Sequence, residues 1–256
     1  MQQKERTKEM IQLEKRIIKR FNKASKEYSL LEEGDKILIG LSGGKDSLML
    51  LKLLAERSRI YKPRISVIAA HIGMSNIPYK ADHEFLHKFC SDAGVELITA
   101  ETSFDASTDT RKSPCFLCSW NRRKMLFTIA QERGCNKIAL GHNMDDFLET
   151  LLMNITFQGA FSAMAPMMRM RKFPISVIRP LCLVNESEIA QYAQMAGYPT
   201  QIKNCPYEKE SNREQMKELL HKLEELNPEA RYNLWGSMSN IQSELLPPAI
   251  NKKEEQ

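Results

Sequence analysis

The stretch KILIGLSGGKDSLMLLKLL, Lys36 to Leu54, runs from an apolar strand-like segment through two glycines into a leucine-rich helix-like one. A strand ending at Leu41 and a helix starting a few residues later bring backbone N–H groups and the positive end of a helix to one point, which makes an anion site. Gly43 and Gly44 allow positive φ and close approach of a phosphate to the backbone. Ser42 and Ser47 offer hydroxyls and Lys45 a cation. The stretch is not a Walker A loop: Asp46 follows the lysine where that pattern has Ser or Thr, and position 39 is Ile where it needs Gly. An acid inside a phosphate cradle calls for a metal ion between the two charges. Asp46 therefore points to Mg²⁺ carried with a nucleotide pyrophosphate.

Working outward, short β-rich runs alternate with helical ones. KILIGL is followed by a helix through Arg57, the strand ISVIAAHI, a helix near Asp82 to Ala93, and the strand VELITA. After a polar loop, Thr102 to Pro114, the pattern resumes with a helix near Ser119 to Arg133, the strand NKIALGH, a helix from about Met144 to Phe157, and a strand near Ile175 to Leu181. Alternation of this kind predicts an α/β fold of right-handed βαβ units, a parallel sheet flanked by helices. Met10, Leu13, Ile17, Ile18 and Phe21 recur at helical spacing among Lys and Arg, so residues 1–30 read as a basic amphipathic helical segment. Residues 31–183 form the nucleotide-binding domain, and 184–256 a helical C-terminal region with segments around Glu186 to Ala196 and Arg213 to Leu226.

The chain has 256 residues, enough for a sizeable core, and 42% of them are apolar. No segment approaches the roughly 18 uninterrupted apolar residues of a membrane span. The opening MQQKERTKEM lacks the apolar core of a secretory signal, so a cytoplasmic protein is expected. Residues 1–30 hold nine Lys or Arg against four Glu, which accounts for the whole net charge of +5. Elsewhere, Arg111 to Lys124 carries five basic residues and no acid, and Met167 to Leu181 carries four. Such patches suit a polyanionic partner, although a charge run is more often a solvated face.

Six cysteines in a reducing compartment suggest metal or redox chemistry more than disulfides. In SPCFLCSWNRRKMLF, Cys115 and Cys118 have CxxC spacing and open a helix carrying Arg122, Arg123 and Lys124. Two thiolates on one turn grip one metal centre, and a helix end with nearby cations favours the thiolate. A single CxxC also marks redox dithiols and zinc sites, so a third partner is needed. Cys205, in the polar, turn-like IKNCPYE, is the best candidate, whereas Cys90, Cys135 and Cys182 read as small buried hydrophobes. Three thiolates on a [4Fe-4S] cluster leave one iron open to an exogenous ligand; a structural zinc is normally closed by four.

SGGKDS after a strand resembles the PP-loop signature of the ATP pyrophosphatases. Taken with PCFLCSWNRRKMLF, KIALGHNMDDFLETLLMN, VIRPL and Cys205, it is similar to the tRNA 2-thiocytidine synthetase (TtcA) family over roughly residues 20–245. The resemblance implies an adenine nucleotide α-hydrolase-like fold, a [4Fe-4S] cluster, ATP with Mg²⁺, and thiolation of C2 of a cytidine in the tRNA anticodon loop. Its partners would be tRNA and a sulfur donor such as a cysteine desulfurase system, without a membrane, and a homodimer is consistent with it. In the implied mechanism ATP adenylates the C2 oxygen and sulfur then displaces AMP. Ser42, Gly43, Gly44, Lys45, Asp46 and Ser47 would hold the pyrophosphate, His71 and Gly141 would flank the nucleotide, and Cys115, Cys118 and Cys205 would hold the cluster. Arg122 would stabilise charge developing on phosphate. Of Asp145 and Asp146, one would position the metal or handle a proton, with a slight preference for Asp146. The other would be a helix N-terminal charge.

Two departures bear on the substrate. Typical members carry CNLC near the third cysteine where this chain has NCPYE, and GHNMDD stands for the more usual GHHRDD. The rival enzyme is a tRNA 2-thiouridine synthetase, but that branch usually carries N-terminal CxxC pairs, and residues 1–89 here contain no cysteine. Another PP-loop adenylating enzyme would not need the CxxC. A zinc-stabilised RNA-binding module would leave the glycine turn unused.

Overall fold

The computed structural model describes residues 7–60, 62–77, 81–105, 107, 113–171, 173–200 and 212–247. Cys205 therefore lies outside the described residues, as do Arg111, Lys112 and Lys172 of the basic runs. The chain divides into two compact units, one of residues 1–147 with 164–211, the other of 148–163 with 212–256.

Among the described residues, the first unit is built on a six-stranded sheet. Its strands are β1 (Lys36–Gly40), β2 (Ser66–Met74), β3 (Glu96–Thr102), β4 (Lys137–Ala139), β5 (Met167–Arg169) and β6 (Ser176–Ile178), in the order β3-β2-β1-β4-β6-β5. All neighbours pair in parallel except β5 with β6. The antiparallel β5 is missing from the sequence reading because MMR offers only three residues and no alternation. The strand order reverses at β1: β2 and β3 lie to one side, β4 and β6 to the other. In an open α/β sheet this switch point leaves a crevice at the carboxyl ends of the strands, where ligands bind. The glycine turn after β1 lies there.

Both faces of the sheet are covered, which explains why β1 reads as an unbroken apolar run. On one face α4 (Pro114–Glu132) packs Leu126, Ile129 and Ala130 against Leu38, Ala70, Ile72, Ile138 and Ile175. Successive strand residues point to opposite faces, so the fully buried Ile37 and Ile39 serve the other side. There α2 (Lys45–Ser58) packs on β1 and β2, and α3 (His83–Ala93) on β3. The helix α4 starts five residues earlier than its apolar spacing suggests. Ser113 caps it by accepting from the Phe116 N–H at 3.3 Å, and Pro114 occupies the first turn, where its missing N–H costs nothing.

The first helix, α1 (Lys8–Glu27), buries Leu13, Ile17, Phe21 and Ala24 as its stripe. Burial of each large side chain is worth about 1.5–3 kcal/mol. Its buried Glu14 meets Lys52 Nζ of α2 at 2.7 Å and the Tyr192 hydroxyl of α6 (Glu186–Ala196) at 3.2 Å, while Arg20 reaches Glu188 at 2.5 Å.

In the second unit, α7 (Asn212–Leu226) buries Met216 and Leu220, and α8 (Ala230–Ser237) sends Arg231 back to Glu224 through bonds of 2.7 and 3.2 Å. Glu149 and Arg213 pair there at 3.4 Å. The helix α5 (Met144–Gln158) begins in the first unit and continues into the second.

Candidate active site

The turn after β1 is held by its own side chains. Gly43 has φ +88°, open to glycine and strained for other residues. Ser47 Oγ accepts from the Gly43 N–H at 3.2 Å and donates to the Gly44 carbonyl at 2.9 Å, and Ser42 Oγ lies 3.1 Å from it. The two serines thus shape the loop from within. Gly44 is the N-cap of α2 and has no side-chain cap, so the first turn of that helix presents its amides to the crevice.

Three strand ends are tied together around this turn. Lys45 Nζ donates to Asp46 Oδ2 and to Glu186 Oε1, both at 2.9 Å. Burial alone would lower the Lys45 pKa, but the Asp46 and Glu186 carboxylates outweigh it and hold the ammonium above its ordinary range. Asp46 Oδ1 accepts from Asn143 Nδ2 at 3.0 Å, which joins the turn to the loop after β4. Asn143 also begins α5: its side-chain oxygen accepts from the N–H groups of Asp145 and Asp146, and Asp146 Oδ2 accepts in return from the Asn143 N–H at 2.9 Å. This is a reciprocal capping box. Asp145, buried, accepts instead from the Glu186 N–H at 2.7 Å at the start of α6. Each of the two neighbouring acids therefore supports a helix N-terminus, one its own and one across the sheet.

Gly141 is required by proximity. A methyl group there would lie 3.0 Å from the Ser47 amide nitrogen and 3.1 Å from the Asp46 carbonyl carbon. Above the turn is a cavity of about 140 Å³, lined by Gly40, Leu41, Ser42, Ala70, His71, Ile72, Arg122, Leu126 and Leu140. His71 Nδ1 lies 2.8 Å from the Leu41 carbonyl, so it carries the proton and donates there. Burial, and then the His83 and Arg122 charges, push the His71 pKa down against the opposing effect of that bond. The ring is neutral at pH 7. Arg122 forms part of the same wall, and its Nε is buried without a hydrogen-bond partner among the described residues. Such an atom is costly unless a ligand meets it.

The first turn of α4 carries exposed Cys115 and half-buried Cys118 on one side of the helix. One turn later in the same helix comes Arg122. By contrast Cys90, Cys135 and Cys182 are buried in apolar surroundings; burial raises Cys90 to about 11 and Cys182 to about 12, so both stay protonated and inert. Phe116 and Trp120 stand exposed one turn apart on α4, with Lys124 Nζ 5.5 Å from the Trp120 ring centre. Among the described residues no three His, Cys, Asp or Glu side chains cluster to hold a metal. The two thiols therefore fit a multi-iron centre only with a further ligand from outside those residues, and a divalent ion only as one carried by phosphates.

Glu186 carries no local signal in the sequence; Asn143 and Arg179 fall in the GHNMDD and VIRPL stretches, but neither stretch shows what they bond to. Arg179, of the VIRPL stretch, is buried, donates to the Ala165 carbonyl at 2.6 Å and approaches His142 Nδ1 at 3.3 Å. Lys45 and Glu186 are 141 residues apart, and no local pattern signals their pairing.

A glycine turn at the switch point, a helix N-terminus aimed into it and a cavity above it define a PP-loop protein, and the PP-loop domain model matches residues 13–223. A chain called tRNA-cytidine(32) 2-sulfurtransferase from Geotalea daltonii is 38% identical over 234 residues, 90% of this chain and 93% of that one. Its namesake from Citrifermentans bemidjiense is 36% identical over 245 residues, 93% and 95% of the two chains. Within the PP-loop proteins, this chain belongs to the tRNA-cytidine(32) 2-sulfurtransferase (TtcA) family. Among solved structures, the U34-tRNA thiolase NcsA from Methanococcus maripaludis with its [4Fe-4S] cluster superposes with a TM-score of 0.71 at 28% identity, covering 87% of this chain and 78% of that one.

Proposed function

We propose that the chain is an ATP-dependent tRNA thiolase that replaces the C2 oxygen of a cytidine in the anticodon loop by sulfur. The observation that carries this is Arg122. Its helix bears Cys115 and Cys118, and its own guanidinium, whose buried Nε has no hydrogen-bond partner among the described residues, forms part of the wall of the cavity above the PP-loop. Sulfur chemistry and nucleotide chemistry are thereby joined by one helix turn.

ATP enters with its pyrophosphate on the Gly43–Ser47 turn, where amides, the α2 dipole and Lys45 meet the negative charge. Lys45 exchanges a carboxylate for phosphate, and Asp46 and Glu186 become available to a phosphate-borne Mg²⁺. The base oxygen attacks the α-phosphorus; the new O–P bond forms as the bond to pyrophosphate breaks. Arg122 meets the charge that develops on the α-phosphate. Sulfide then forms a bond to C2, the C2–O bond breaks, and AMP leaves with the oxygen. Cys115, Cys118 and Cys205 would hold a [4Fe-4S] cluster, which when bound supplies an iron open to the incoming sulfur. Asp145 and Asp146 act by fixing the starts of α6 and α5 around the nucleotide, with one of them placed to take a proton. Phe116 and Trp120 beside Lys124 offer stacking and charge to unpaired bases of the anticodon loop. A cysteine desulfurase system is the proposed source of sulfur.

The solved thiolase acts on U34, which favours uridine as a second reading. The higher identity and coverage of the cytidine-32 relatives favour cytidine. Anaerobic reconstitution tests the metal chemistry: about four irons and four sulfides per chain are expected, with loss of the brown colour in Cys115→Ala, Cys118→Ala and Cys205→Ala. A colourless protein holding one zinc contradicts the proposal.

A further inference from the structure

A second cavity, of about 360 Å³, opens over the carboxyl ends of β2 and β3. It shares His71, Ile72 and Arg122 with the cavity above the PP-loop. On another side its wall includes Met74 and Ile77, against which Cys118 packs. The chamber therefore borders both the nucleotide cavity and the thiol-bearing turn. Its size falls within the range of small-molecule sites, and its wall is rich in polar groups: His71, His83, Ser75, Glu101 and Arg122.

We propose that this chamber receives the target pyrimidine, turned out of the anticodon loop, and that Glu101 selects cytosine over uracil. The assignment rests on the tRNA thiolation reading above. An ionised carboxylate only accepts hydrogen bonds. Cytosine presents its N4 amino donor at the position where uracil presents the O4 acceptor, so a carboxylate at that edge attracts the first and repels the second. Reading of an extruded base by its Watson–Crick edge is the general solution for enzymes that act on bases.

The strand register supports the orientation. His71 pairs with Thr99 and Gly73 with Glu101, so Glu101 lies two residues further out along the sheet than His71, roughly 6–7 Å. O2 and N4 stand at the two ends of the Watson–Crick edge, either side of N3. With N4 on Glu101, O2 faces the His71–Arg122 wall that the chamber shares with the nucleotide cavity, where attack on the α-phosphorus must occur. Arg122 Nε, buried and without a partner among the described residues, is a donor suited to the O2 and N3 acceptors of cytosine. Gly73 keeps the floor low: a Cβ there would touch Glu101 Cγ at 3.4 Å.

The test compares reconstituted wild type with Glu101→Ala and Glu101→Gln on two anticodon stem-loops that differ only in cytidine or uridine at the target position. Thionucleosides are quantified by mass spectrometry, and stem-loop affinity by fluorescence anisotropy. Loss of one base-edge contact should reduce the cytidine-to-uridine ratio of kcat/KM about 5- to 150-fold, mainly through KM. Glu101→Gln, whose amide offers either a donor or an acceptor, should accept uridine better than Glu101→Ala does. Cluster content and binding of a non-hydrolysable ATP analogue should stay unchanged. Cytidine thiolation by wild type with the same ratio in both variants overturns the role of Glu101 alone. If the variants are inactive, an unchanged ratio of stem-loop affinities overturns it equally. A wild type that thiolates neither stem-loop overturns the thiolase reading itself.

Discussion

Replacing Gly141 by Ala separates the geometry of the PP-loop from its chemistry. Gly141 does not have positive φ, so conformational freedom is not why glycine is there. The reason is contact: an added methyl group would lie 3.0 Å from Ser47 N, 3.1 Å from Asp46 C and 3.2 Å from Asp46 O. All three atoms are backbone of the first turn of α2, and none can rotate away as a side chain would. Relief requires the helix end and the loop after β4 to part by a few tenths of an ångström. Overpacking of this kind costs about 1–3 kcal/mol. At about 1.4 kcal/mol per factor of ten, that corresponds to roughly a 5- to 150-fold loss if it falls on nucleotide affinity. If it falls on the fold, Tm drops by about 2–12 °C, given about 2–4 °C per kcal/mol for a chain near this size. Calorimetric titration with a non-hydrolysable ATP analogue and Mg²⁺, alongside thermal unfolding, captures both routes. Affinity within twofold of wild type together with an unshifted Tm would refute the reasoning.

Three further outcomes are expected. Lys137, 4% exposed, pairs with the buried Asp35 at 2.8 Å and with Glu32 at 3.0 Å at the opposite ends of the strands, so Lys137→Met should cost about 3–5 kcal/mol in urea unfolding by stranding Asp35; a loss under about 1 kcal/mol contradicts this. Trp120→Ala should weaken tRNA binding by about 1–3 kcal/mol with Tm unchanged, because the ring is half exposed and free to stack on bases; equal affinity argues against that surface. His71 is held below its ordinary value near 6.5, so its contribution to stability is present above that pH and is lost as pH falls toward the folded value. Unfolding free energies between about pH 7.5 and 5 should therefore decline less steeply in His71→Asn than in wild type, and parallel curves would exclude the effect.

The turn at Ser42 to Ser47 was legible because strand, glycines and helix are contiguous, and one local geometry follows from that order. The CxxC at Cys115 and Cys118 was legible for the same reason, since i,i+3 spacing on a capped helix places both thiols on one side. In α4 the apolar periodicity begins only near Ser119, whereas Ser113 and Pro114 set the boundary, one residue before the Cys115 at which the CxxC opens the helix. Contacts between strand ends were not legible. Nothing near Glu186 announces Lys45, and nothing near Asn143 announces Asp46, since the sheet order alone brings them together. In GHNMDD, the asparagine read as a lost histidine proves to be the cap of α5 and a ligand of the PP-loop acid. The two carboxylates that follow it have different partners, Asp146 the Asn143 backbone N–H and Asp145 the Glu186 N–H, a distinction that adjacency in sequence conceals.

The most direct measurement combines anaerobically reconstituted protein, ATP with Mg²⁺, a sulfide donor and an unmodified tRNA transcript bearing cytidine at position 32, followed by mass spectrometry of the nucleosides and of the nucleotide products. The expected products are 2-thiocytidine, AMP and pyrophosphate. Absence of any thionucleoside, or release of ADP and phosphate in place of AMP and pyrophosphate, would contradict the proposed reaction.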